Sequence, residues 1–140
     1  MSNYRLFRDL VAFIRERHEQ KRDPPRYDVV KSKIAELQLE FDVGRLLTYR
    51  VASVLSEGKT PNYEAALAKD YCTLYMQRVA DGVTSILGLY GQVMPGSKVE
   101  HLAGRAARGY LFSRAYTLAG GTNEVLKSIV AMRGLGLPAS

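Results

Sequence analysis

From residue 30 to residue 55, apolar or small residues recur at alternating steps of four and three: Val30, Ile34, Leu37, Phe41, Gly44, Thr48, Val51 and Leu55. A side chain returns to the same face of an α-helix every 3.6 residues, so this spacing describes one helix with one continuous seam. It predicts a helix over residues 27–57. Such a helix draws most of its stability from packing its apolar face, and the seam is that of a helix lying near-antiparallel in a bundle. Gly44 and Thr48 are small enough to let a neighbouring backbone approach. Gly58 stands where a glycine ends a helix. No segment alternates with period two, so no strand is expected. The fold class that follows is all-α: an up-down bundle of four main helices plus a shorter broken helix, one domain over residues 1–140.

The other helices are weaker copies of the same pattern. Over residues 3–19, Phe7, Leu10, Val11 and Ile14 share a face, and Arg5, Arg8, Arg15 and Arg17 lie mostly off it. No clear cap precedes this helix, so it is expected to be the remainder of a longer one. Pro24 and Pro25 break it. Thr60-Pro61 supplies a hydroxyl cap and a first-turn proline for a third helix over residues 62–89. Its expected stripe is Leu67, Tyr71, Tyr75, Val79, Gly82, Ile86 and Leu89, with Lys69, Asp70, Gln77 and Arg78 turned elsewhere. Residues 99–115 hold a weaker pattern interrupted by Gly104 and Gly109.

Near the C-terminus, Gly120 and Gly121 precede Thr122, a good N-cap, and Glu124 puts a negative charge in the first turn. Val125, Ile129 and Met132, flanked by Leu126 and Val130, form the expected stripe, with Gly134 as the C-terminal glycine and Pro138 as the stop. Two readings of this stretch stand side by side: a capped terminal helix, or a helix N-terminus open to an anion such as a phosphate.

Composition narrows the function classes. At 140 residues and 46% hydrophobic, the chain can build a core. No uncharged apolar run approaches the roughly 18 residues of a membrane span, and the first residues lack the apolar core of a secretory signal. Cys72 is the only cysteine, which excludes an internal disulfide and points to a cytoplasmic setting. It is expected to be a small core residue rather than a nucleophile. The net charge of +6 suits an anionic partner without choosing among nucleic acid, an acidic membrane surface and a phosphorylated small molecule. Nucleic-acid binding by the arginine-rich first helix is the weakest of these. Neither His18 nor His101 has a glutamate three residues earlier, as a di-iron bundle requires, so no metal is expected. Glu36 and Glu40 read as a solvated face. No Walker loop or dinucleotide fingerprint is present.

Residues 119–138, Ala119-Gly-Gly-Thr-Asn-Glu-Val-Leu-Lys-Ser-Ile-Val-Ala-Met-Arg-Gly-Leu-Gly-Leu-Pro138, resemble the end of acyl-CoA dehydrogenases. Their usual form there is Gly-Thr-Ser/Asn-Glu-Ile followed by an Ala-Glu-Arg-x-Leu-Gly-Leu-Pro ending. Lys33-Ile-Ala-Glu-Leu-Gln-Leu-Glu-Phe-Asp-Val-Gly-Arg-Leu-Leu-Thr-Tyr-Arg50 is similar to the second bundle helix of the bacterial branch, and Leu87-Gly-Leu-Tyr-Gly-Gln92 to its Leu-Gly-Pro-Tyr-Gly loop. The likeness covers nearly the whole chain and implies the family's C-terminal helical domain. It further implies FAD held at a subunit interface, an acyl-CoA substrate, an electron-transfer flavoprotein as electron acceptor, and a homo- or hetero-oligomer, with no nucleic acid and no membrane.

Carried over by position, the resemblance makes Arg17, Ser85, Gly121, Thr122 and Glu124 the flavin-contacting residues. Arg17 falls where an arginine reaches the FAD diphosphate of the neighbouring subunit, and Ser85 where many members have a flavin-contacting glutamine. Gly120 occupies the place where many members hold the catalytic glutamate, so no catalytic residue is assigned and the chain alone is expected to be inactive. The expected function is the FAD-associated C-terminal domain of an acyl-CoA dehydrogenase-like flavoprotein of fatty acid metabolism. The alternative is a non-catalytic oligomerisation or interaction module that keeps the bundle.

Overall fold

A computed structural model describes residues 2–22, 26–99 and 102–138. The described residues form five α-helices and no strand: α1 Ser2–Glu19, α2 Tyr27–Ser56, α3 Asn62–Leu87, α4 Arg105–Ser113 and α5 Asn123–Ile129. The expected break at Pro24 and Pro25, and His101, lie outside them. No helix among the described residues is long and apolar enough to cross a membrane.

The chain runs up and down. α2 and α3 are antiparallel: Leu37 touches Gly82 near one end, Arg78 Nε donates to Glu40 at 2.7 Å in the middle, and Arg50 donates to the Tyr63 hydroxyl at 2.7 Å near the other. α1 buries Leu6, Phe7, Leu10 and Ile14. It stacks Tyr4 on Phe41 of α2 at 3.9 Å and pairs Asp9 with Arg105 of α4 at 2.6 Å. α4 and α5 then descend α3 one after the other. Arg114 meets Asp81 at 2.8 Å, Asn123 lies 3.4 Å from Thr73, and Arg133 donates to Asn62 at 3.1 Å. The fourth column of the bundle is thus one helical path broken in its middle.

α3 is the central element. Ala66, Ala68, Thr73, Tyr75, Val79, Ala80, Gly82, Val83 and Leu87 are all buried, which covers more of its circumference than a single stripe. The fully buried Leu10, Leu37, Val79 and Val83 mark the core where α1, α2 and α3 meet. Tyr75 is buried there, and burial pushes its phenol well above the usual tyrosine range.

Several expectations are corrected. The third helix stops at Leu87, and Gly88–Gln92 continues as a 3-10 turn that leaves Leu89 82% exposed. Pro61, not Thr60, holds the capping position of α3, and no side chain caps it; the Thr60 carbonyl instead accepts from the Asn62 N–H at 2.9 Å. The seam of α2 is buried at Val30, Leu37 and Gly44 but opens toward its C-terminal end, where Thr48 and Leu55 are exposed. Residues 99–115 include a 3-10 turn at Leu102–Gly104, followed by α4, so Gly104 starts the helix and Gly109 sits inside it. In the last helix, Leu126 is buried, while Val125 is 53% exposed and Met132 37% exposed. Its final turn widens to a π-turn, Val130–Gly134. Gly136 rather than Gly134 takes the left-handed conformation. Gly134 is small for another reason: a Cβ there would lie 3.0 Å from the Tyr63 ring.

The 3-10 turn after α3 makes a closer approach. A Cβ on Gly91 would meet the Thr84 carbonyl oxygen at 2.7 Å and its Cα at 2.9 Å, both backbone atoms. A Cβ on Gly82 would approach side-chain atoms only, the nearest a Leu37 methyl at 3.0 Å. Gly91→Ala is therefore expected to cost about 1–3 kcal/mol through forced backbone shifts, and distinctly more than Gly82→Ala, in urea unfolding of the two variants. Equal losses would show that the turn yields as easily as a leucine methyl.

Candidate functional site

The break in the fourth column puts two consecutive glycines at positive φ. Gly120 has φ 70° and Gly121 φ 99°, a region that strains any residue with a Cβ. Nothing lies within 4 Å of where a Cβ on Gly120 would be, and only Leu126 lies near one on Gly121. The turn therefore presents bare backbone to open space. It is held from behind by Lys69 of α3, whose Nζ donates to the Gly121 carbonyl at 2.6 Å and to the Tyr116 carbonyl at 3.3 Å. Asn123, 5% exposed, anchors the start of α5 against Thr73.

Thr122 caps α5 as expected: its extended backbone (φ −69°, ψ 158°) lets Oγ1 accept from the Val125 N–H at 3.4 Å. Glu124 follows on the surface. Its own backbone N–H, the Thr122 hydroxyl and then nearby Lys127 hold its carboxyl below the usual carboxylate range. The chain's own carboxylate thus stands beside the donors of this helix start, where it would compete with a bound phosphate.

Ser85 and Arg17 lie elsewhere. From Lys69 to Ser85 is 16 residues of α3, about 24 Å along the helix axis. Ser85 is exposed beside a groove of about 710 Å³ between the start of α2 and the end of α3, lined by Arg26, Lys33, Arg78 and Asp81 among apolar neighbours. Three cations against one anion make this groove electropositive, although Arg78 and Lys33 also hold Glu40 and Glu36. Arg17 sits at the end of α1, at the same end of the bundle. It donates from Nε to the Arg22 carbonyl at 3.1 Å and lies 5.5 Å from the centre of the Phe13 ring. The five residues therefore form two groups far apart along α3: Gly121, Thr122 and Glu124 beside Lys69 and Thr73, and Ser85 and Arg17 toward its C-terminal end.

The remaining candidates keep structural roles. Burial pushes the Cys72 thiol up, against an opposing bond from Thr48, so it is not an activated nucleophile. No cluster of metal-ligating side chains occurs among the described residues. Glu36 and Glu40 are engaged with Lys33 and Arg78. Lys69 and Asn123 are the site residues that sequence reasoning missed. The buried asparagine just after the cap was the available signal, since such a residue needs a partner.

A family model described as "Acyl-CoA dehydrogenase, C-terminal domain" matches residues 3–135. Acyl-CoA dehydrogenase FadE34 of Mycobacterium tuberculosis is 30% identical over 108 residues, 77% of this chain and 14% of that protein. The caffeyl-CoA reductase-Etf complex subunit CarC of Acetobacterium woodii is 23% identical over 123 residues, 88% of this chain and 30% of that one. Among solved structures, the Tcur3481-Tcur3483 steroid ACAD superposes with a TM-score of 0.89 at 29% identity, covering 99% of this chain and 35% of that one. The chain thus spans about a third or less of the proteins it matches.

Two measurements probe the turn. Thr122→Ala should destabilise the domain by about 1 kcal/mol at neutral pH and raise the Glu124 pKa in an NMR titration. Glu124 should still remain below the ordinary range, because its own N–H is the larger cause. The native Glu124 pKa is depressed, so its contribution is present above the unfolded-state pKa and is lost as pH falls through the folded one. The stability gap between wild type and variant should therefore narrow in acid; a constant gap would exclude the Thr122–Glu124 bond. Lys69→Met should speed amide exchange over residues 119–126 while leaving α2 unchanged.

Proposed function

The chain belongs to the acyl-CoA dehydrogenase family as its C-terminal helical domain, and on that premise we propose that it forms the wall of a flavin site completed by other parts of the enzyme or by another subunit. Family members are FAD flavoproteins. The observation that carries the reading is the bare turn at Gly120 and Gly121: open space where a Cβ would lie, rimmed by Thr122 and Glu124. Such a surface fits the flat, uncharged ring of a flavin, whereas the exposed Glu124 carboxylate would repel a diphosphate. The diphosphate is better suited to the electropositive end near Ser85 and Arg17. With about 24 Å of α3 between the two groups, the proposal assigns them separate flavin contacts, Arg17 and Ser85 serving the flavin of a neighbouring subunit.

When bound, the flavin supplies the hydride acceptor for α,β-dehydrogenation of an acyl-CoA thioester. This chain's residues position and shield it. They do not provide the base at the position where many relatives carry one, because Gly120 has no carboxylate. The proton-accepting group then comes from outside residues 1–140. The paired name of the steroid ACAD supports assembly with a second subunit, and the Etf complex of the Acetobacterium relative supports an electron-transfer flavoprotein as acceptor. Cytoplasmic residence is part of the proposal and rests on the single half-buried cysteine.

Thermal unfolding of the purified chain with FAD tests this. A ligand at about a hundred times its Kd adds about 2.7 kcal/mol, a shift of several degrees for a domain of this size. The shift should shrink in Arg17→Ala and Thr122→Ala relative to each variant's own baseline. Acyl-CoA with an artificial electron acceptor should give no turnover by the chain alone. A flavin-insensitive bundle would instead leave the domain as an assembly module.

A further inference from the structure

Helices α1 and α2 run antiparallel side by side, yet their backbones hardly approach each other. α1 makes its close approaches to α3 and α4 instead. Two aromatic stacks bridge the gap, one toward each end: Tyr4 on Phe41 at 3.9 Å, and His18 on Tyr27 at 5.1 Å. Between the stacks lies a slot of about 440 Å³, a volume ordinary for a small-molecule site. Its lining runs from Phe7 to His18 on α1 and from Tyr27 to Gln38 on α2. Each stretch covers 11 residue steps, about 16 Å of helix axis.

The slot has two chemically different parts. Phe7, Val11, Ile14 and Ile34 give it an apolar floor, with Phe7 only 2% and Ile14 5% exposed. The small, exposed Ala35 leaves its middle open. Arg15, His18 and Lys31 gather at the end closed by the His18–Tyr27 stack, and no carboxylate lines the slot. Arg15 is exposed and makes no ion pair among the described residues. Lys31 holds Asp28 at 2.9 Å, but that carboxylate is 93% exposed, and such a surface bond contributes little and can be shared.

We propose that this slot binds one molecule of an anionic amphiphile with a single unbranched alkyl chain, an alkyl monocarboxylate taken from solution. The chain lies along the apolar floor, and the carboxylate meets Arg15 and Lys31, whose charged donors suit it. A compact anion would leave the floor uncovered, and a neutral chain would leave the cations unanswered. The flat face of a membrane does not reach a floor recessed between two helices, whereas one extended chain does. The slot shares no lining residue with the groove beside Ser85 and does not depend on the flavin reading.

Equilibrium dialysis of the full chain, without flavin, against decanoate below its micelle concentration tests the site. Saturable binding of one decanoate per chain is expected. Butanoate, which has the charge without the chain, and decanol, which has the chain without the charge, should each bind about tenfold more weakly or worse. Arg15→Glu should weaken decanoate binding about tenfold, whereas Arg45→Glu, an equal charge change on α2 outside the slot, should leave it unchanged. Ala35→Phe should fill the middle of the slot and abolish binding, with far-UV circular dichroism unchanged. The Arg15 reversal, on an exposed side chain, keeps the test sound even if Ala35→Phe disturbs the packing. No saturable binding, equal losses in the two charge reversals, decanol bound as tightly as decanoate, or association only with phosphatidylglycerol vesicles would each overturn the proposal.

Discussion

Everything else in this domain is arranged around α3, which has neighbours on nearly all sides. Helix α2 packs on it from one direction, α1 from another, and the broken column of α4 and α5 from a third. Apolar burial drives that assembly but is non-directional and fixes no register. Register comes from the polar residues that α3 keeps along its length: Asn62 to Arg133, Lys69 to Gly121, Thr73 to Asn123, Gln77 to Thr117 and Arg114, and Asp81 to Arg114. Each bond is modest, since most are partly exposed. Together they determine where along α3 the fourth column breaks, and so where the glycine turn stands.

This explains which parts of the fold were legible in the sequence. The inner seam of α2, the apolar face of α1 and the glycine stop at Gly58 (φ 73°) were readable because each lies on a helix with one buried side or at a sharp end. α3 was only half readable. A helix covered on several sides has no single stripe, so treating Lys69 and Gln77 as turned elsewhere passed over the contacts they make with the fourth column. α4 and α5 contain nine and seven residues, too few turns for a period to declare itself. There the pattern named Val125 where burial selects Leu126. The close approach at Gly134 and the left-handed turn at Gly136 exchange the roles that spacing alone assigned.

The helix start at Thr122 was legible in the sequence, but the spatial arrangement of the candidate residues was not. Gly121, Thr122 and Glu124 do share one turn, and Thr122 is the cap its position implied. Linear sequence could not show that Ser85 and Arg17 lie at the other end of the bundle, because that depends on the up-down path of the chain. Nor could it show that Thr122 and Glu124 complete each other. Gly120 and Glu124 then acquire complementary meanings. The first leaves a gap at the turn, and the second is a carboxylate whose pKa its own N–H and the Thr122 hydroxyl draw down. A turn of this kind can hold a group in place without taking a proton from its substrate.

The exposed apolar residues divide along the same lines. Leu111, Phe112 and Leu118 lie on the fourth column leading into the turn, and Leu39, Val43 and Leu46 lie on the outer side of α2. α3 stands between these two faces, so covering one does not cover the other. A surplus of surface on a single face could be an accident of composition. Two such faces, one bordering a bare glycine turn and the other along the outer side of α2, are separate apolar surfaces. The bundle therefore acts as a rigid spacer: α3 stands between the two faces, and its polar bonds hold the fourth column in fixed register against it.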